Sequence, residues 1–214
     1  MVSTNQDSTT PQVVFQIGFW SALLTTAWIL IFNVAIALGA TGAPTRSLAV
    51  GASLLLALSF VVLMVSIHNY APQAKRIWSQ IGLSFAILYA ALLLWNYYLQ
   101  LTVVRTHPLL YSWLTMDFTS ETAFWSIESI GYALMGMAAL FALPVLSQSR
   151  IELVIRWCFA VNAAFTILGS IGYILSGNPL HVLVLASLGI WAIAFPIATA
   201  LLAVIFRRAQ KLSR

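Results

Sequence analysis

Residues 53–67, SLLLALSFVVLMVSI, carry no charge, no proline and no glycine, and residues 182–206, VLVLASLGIWAIAFPIATALLAVIF, are longer still and equally uncharged. Runs of this kind read as helices that cross a lipid bilayer, which takes about 20 mainly apolar residues. A membrane β-barrel would instead show strands of about ten residues alternating apolar and polar. Neither run alternates in that way. The remainder of the chain agrees with them. Hydrophobic residues make up 61% of the 214 positions and charged residues 7%, with a mean hydropathy of +0.95. A soluble domain carries roughly a quarter charged residues, so this chain lacks the polar surface to cover a globule in water. Lipid must be the solvent, and there the backbone has to satisfy its own hydrogen bonds. The expected fold is an all-α, polytopic transmembrane helical bundle of about six helices.

Working outward, spanning helices are expected over 13–38, ended by the loop with Gly39, Gly42 and Pro44, and over 47–69, ended near Pro72. Two more are expected over 76–103 and 122–146, then 151–175, stopped by Gly177-Asn178-Pro179, and finally 181–207. Residues 107–118, HPLLYSWLTMDF, are too short to span and suit a segment lying in the interface. Residues 1–12 form a polar tail without Lys or Arg, unlike the basic start of a secretory signal peptide, so the first run reads as a retained helix. Residues 208–214 form a basic tail. A shift of 80 residues lays the second and third helices over the fourth and fifth, pairing Arg76 with Arg156 and Phe85 with Phe165. Transporters are often built from repeats, but two apolar helices joined by a basic loop match by composition as well.

The net charge of +5 sets topology rather than marking a nucleic-acid partner, because the basic residues sit in short loops and the tail. Lys75, Arg76, Arg150, Arg156, Arg207, Arg208, Lys211 and Arg214 belong to one set of connections; only Arg46 and Arg105 belong to the other. The positive-inside rule therefore puts both ends in the cytoplasm, as an even helix count requires. The expected location is the cell membrane, as a multi-pass protein with membrane lipids around it. A homo-oligomer or other membrane subunits are further possible partners, and no nucleic acid is expected.

An ionisable group inside a span is expensive, which marks it for attention. Glu128, in FWSIESIGYALMG, lies about a turn and a half into the fourth helix. Helical spacing puts Glu121, Trp125, Glu128, Tyr132 and Met135 on one stripe. The third helix carries Gly82, Ala86, Tyr89, Asn96 and Gln100, and the fifth carries Asn162, Thr166, Gly169 and Tyr173. Asn33, Asn96, Gln100, Glu128, Tyr132 and Tyr173 then share one depth, in the outer half. If their faces converge, they line an outward-facing polar pocket for a small molecule or lipid, with Glu128 as the charged anchor. The competing expectation is that each ties helices together, with Gly82 and Gly169 allowing close approach.

Other chemistry finds little support. His68, His107 and His181 offer no facing pair for a haem and no metal-ligand spacing, and no cofactor is expected. There is no HExxH, no GxSxG and no phosphate-cradling glycine loop. The lone Cys158 cannot form an internal disulfide and reads as a small core residue. Trp78, Trp157, Trp95, Trp113 and Trp125 fit the aromatic belts of a bilayer, while Trp28 and Trp191 lie deeper. Pro196 should kink the sixth helix and free a carbonyl near Ala192. Three functions follow: binding or transport of a small molecule or lipid, an accessory subunit with a tightly packed interior, or an intramembrane enzyme using Glu128. The last needs a second catalytic group within reach, for which His107, Asp117, Glu121 and His181 are on the same side.

Overall fold

The computed structural model describes residues 9–39, 43–104, 123–146 and 149–212. Among them the chain is all-helical, with six helices long and apolar enough to cross a membrane. They are α1 (Thr9–Ala37), α2 (Ala43–Tyr70), α3 (Arg76–Leu99), α4 (Ala123–Ala142), α5 (Arg150–Ser176) and α6 (Val182–Leu212). Even α4, the shortest at 20 residues, spans about 30 Å, the thickness of the hydrocarbon core. The chain is a multi-pass membrane protein. The expected interfacial segment at 107–118 lies outside the described residues.

The ends of the helices follow from local chemistry. Pro72 takes an extended conformation after α2, and a single 3-10 turn, Gln73–Lys75, leads into α3. The residue before a proline is pushed out of helical geometry, and α4 ends just ahead of Leu143-Pro144. Ser149 and Glu152 form a reciprocal capping box at the start of α5. Gly177 ends the same helix in the left-handed conformation, at φ 62°, which costs glycine nothing. At its far end α3 widens into a π-helical turn, Gln100–Val104.

Each helix packs against the next in sequence, and α6 packs back on α1, so the six form a closed ring. The outside of the ring is apolar: Leu30, Val34, Ile87, Trp95, Trp157 and Ile193 are all at least half exposed. The inside holds both the aromatic core and a set of buried polar side chains that includes Thr25, Ser53, Asn96, Glu128, Asn162 and Thr199, as a lipid solvent demands. Phe60 of α2 meets Tyr89 of α3 at 5.7 Å and Phe195 of α6 at 5.4 Å, and Phe159 of α5 meets Phe195 at 5.7 Å between ring centres. These rings plug the middle of the bundle.

Polar contacts join the helices around the ring. Thr25 donates to Ser59 (α1–α2, 3.1 Å), His68 pairs with Ser79 (α2–α3, 2.9 Å), and Ser129 donates to Ser170 (α4–α5, 3.0 Å). Thr26 and Thr199 pair across α1–α6 at 2.7 Å. At the α5–α6 joint a Cβ on Gly169 would lie 2.6 Å from the Ser187 Cβ and 3.2 Å from the Leu183 carbonyl oxygen. The two backbones approach because there is no side chain between them. Gly82 plays the same part against the Ala138 carbonyl of α4, at 2.9 Å.

Candidate functional site

The end of the ring where α3 ends and α4 begins holds the six residues singled out from the sequence. Their stripes are the buried faces of their helices: Asn96, Gln100, Glu128 and Tyr173 are all under 9% exposed, while Asn33 and Tyr132 are partly buried. Glu128 is the centre. Its Oε1 accepts from Asn96 Nδ2 at 3.2 Å and from Gln100 Nε2 at 3.3 Å. Asn96 and Gln100 stand one turn apart on α3, so both amides reach one carboxyl oxygen from behind. The other oxygen, Oε2, accepts no hydrogen bond from a described residue. Asn96 Oδ1 and Gln100 Oε1 are buried and likewise find no partner among the described residues.

In front of Glu128 lies a cavity of about 440 Å³ between α1, α4 and α6. Its walls include Phe32 and Asn33 from α1, Trp125 and Tyr132 from α4, and Trp191 and Ile193 from α6. The aromatic groups hold one another in place, since Trp191 meets Tyr132 edge-on at 5.3 Å and Phe32 at 5.5 Å. Asn33 has a structural duty as well. Its Nδ2 donates to the Ala192 carbonyl at 2.9 Å, the acceptor that Pro196 strips of its own helical partner.

The expected convergence is therefore divided in two. Glu128, Tyr132 and Asn33 line the cavity, whereas Asn96 and Gln100 sit behind the carboxyl and orient it. Tyr173 lies on the far side of α4. It joins Ser129, Thr166, Ser170 and Ser187 around a crevice of about 20 Å³, which Glu128 and Tyr132 also touch. That volume has room for about one water, with hydroxyls to hold it. Asn162, lower on the α5 stripe, is fully buried, and neither of its amide atoms finds a partner among the described residues.

Some contributors were not singled out from sequence. Phe32 and Trp191 form walls, and Trp125 is 6% exposed inside the bundle rather than facing lipid in the belt. The stripe that placed Trp125 on the Glu128 face was the better guide to its position. Tyr97 belongs here too: it is buried, and the Glu128 carboxyl lies within electrostatic range of Tyr89, Tyr97 and Tyr132. Its eight-residue spacing from Tyr89 puts it on the same helical face.

The opposite, basic end of the ring is filled. Tyr70 of α2 donates across the bundle to Glu152 of α5 at 3.0 Å, and its ring packs against Phe15 and Phe206. Glu152 is a second buried carboxyl, 2% exposed. The spacing Ser149-x-x-Glu152 is a capping-box signature that could have found it from sequence. His181 bonds locally, its Nδ1 accepting from the Leu183 N–H at 3.3 Å. No metal-binding cluster of His, Cys, Asp or Glu exists among the described residues, and His107, Asp117 and Glu121 lie outside them. In comparisons with known proteins, no family model, curated protein or solved structure matches the chain.

Proposed function

We propose that the protein binds or transports a small molecule in the cell membrane, with both chain ends cytoplasmic and the Glu128 cavity facing outward. The observation that carries this reading is a membrane-embedded carboxyl held from behind by two amides and open in front to a cavity of about 440 Å³. Small-molecule sites typically occupy roughly 300–1,000 Å³, with mostly apolar walls and a few placed polar groups. A carboxyl used only to tie α3 to α4 would need no such space. The aromatic plug and the Tyr70–Glu152 contact close the route toward the basic end, which suits a state open on one side only. An accessory subunit would call for a packed interior, and the cavity weighs against that reading.

The test is the Glu128→Gln variant, which keeps the shape and the amide contacts but removes the charge. Purified protein is screened against small molecules for ligand-induced thermal stabilisation, and hits are followed by uptake into proteoliposomes. The variant should unfold within a few degrees of the parent yet lose the ligand response. An unchanged response would remove Glu128 from the site.

A further inference from the structure

Among the described residues the one ionisable acid in the cavity wall is Glu128, and the other side chains there with polar atoms are Asn33, Tyr132, Trp125 and Trp191. Glu128 Oε2 accepts no hydrogen bond from a described residue, and Asn33 donates one N–H to the Ala192 carbonyl, which leaves its Oδ1 and its second N–H. Phe32, Trp125, Tyr132 and Trp191 supply four aromatic rings in the wall. Among the described residues no lysine, arginine or histidine lines it. Arg46, at the start of α2, is within electrostatic range of Glu128 but forms no part of the wall. A buried carboxylate facing several aromatic rings is the complement of a cationic nitrogen: the carboxylate neutralises it, and the rings attract it through their negative faces. With a neutral ligand the buried carboxyl has only the more distant Arg46 to balance its charge or must take up a proton, and an anion would be repelled. Resting on the small-molecule reading above, we infer that the ligand class is an organic ammonium ion with an apolar body. The shared chemistry is the ammonium group, carried either by a free amine or by the headgroup of an aminolipid.

Three probes with one apolar body separate the possibilities: phenethylamine, phenethyl alcohol and hydrocinnamate, which bear a cationic, a neutral and an anionic end. Tryptophan fluorescence is the readout, since Trp125 and Trp191 line the cavity, and thermal shift in a non-ionic detergent checks it. Phenethylamine should produce a saturable change, and Glu128→Gln should weaken it by about tenfold or more. Gly189→Phe guards against a folding artefact. Gly189 lines the cavity, is exposed and has nothing within 4 Å of an added Cβ, so a ring there crowds the cavity mouth without displacing the fold. It should abolish binding at unchanged thermal stability. Arg46→Gln, which removes a competing positive charge, should tighten it.

A second arm titrates phosphatidylethanolamine against phosphatidylglycerol. Stabilisation by the first alone, cancelled by Gly189→Phe, assigns the ammonium to a lipid headgroup and supports the inference. If phenethyl alcohol or hydrocinnamate binds as well as the amine and Gly189→Phe abolishes it, the pocket stands and the cationic class falls. If no probe or lipid gives a response sensitive to Gly189→Phe, both readings fall.

Discussion

Ala192 cannot use its carbonyl within its own helix, because the residue four positions on is Pro196 and has no N–H to give. In water such a group is hydrated; in a bundle surrounded by lipid it must be met by a side chain. Asn33 meets it from α1 at 2.9 Å. Replacing Asn33 by Ala should therefore cost about 1–2 kcal/mol, at the upper end of measured interhelical hydrogen bonds in membranes. The partner variant sharpens the claim. With Pro196→Ala the backbone N–H at 196 can return to the Ala192 carbonyl, and Asn33 loses its task. Thermal unfolding of the two single variants and the double variant should show Asn33→Ala costing much less in the Pro196→Ala background. Additive effects would mean that Asn33 stabilises the protein in some other way. The freed carbonyl was legible in the sequence, since it follows from one proline. Its partner was not, because nothing in the chain says that α1 lies beside α6.

Among elements, α5 and α6 are joined by close approach at a glycine, as α3 and α4 are at Gly82, though α3 and α4 also share amide hydrogen bonds. A methyl group on Gly169 would press into Ser187 and toward the Leu183 carbonyl, so the helices would have to separate. Gly169→Ala is expected to cost about 1–3 kcal/mol, the usual range for overpacking. Gly51 supplies the control: an added Cβ there has nothing within 4 Å, and Gly51→Ala should fall within about 0.5 kcal/mol of the parent. Melting curves of the two variants in the same detergent decide it. Equal stability would show that the α5–α6 seam is soft. The sequence indicated which positions are small and which faces are polar, because both follow helical spacing. It did not indicate that Asn96 and Gln100 would end behind Glu128 rather than beside it. That depends on how far α3 rotates against α4, and spacing along one helix carries no information about the angle between two.

The molecule as a whole is polarised. One end gathers the basic residues and is sealed by Tyr70, Glu152, Phe15 and Phe206; the other holds Glu128 and its cavity. Fold class was readable from composition alone, since a chain so poor in charge leaves lipid as the solvent and helices as the structure. Closure into a ring was not, because apolar runs give the length of each helix but not the order in which they pack. The proposed orientation, with the Glu128 end outside, rests on the positive-inside rule alone. Leu38, 69% exposed after α1, and Gln73, exposed in the turn before α3, mark the two ends. In a Cys158→Ala background each is replaced by cysteine, and intact cells are treated with a membrane-impermeant maleimide. Leu38→Cys should react at once and Gln73→Cys only after permeabilisation. The reverse order would turn the cavity toward the cytoplasm, where its cation would have to come from the cell's own amines or from the inner leaflet.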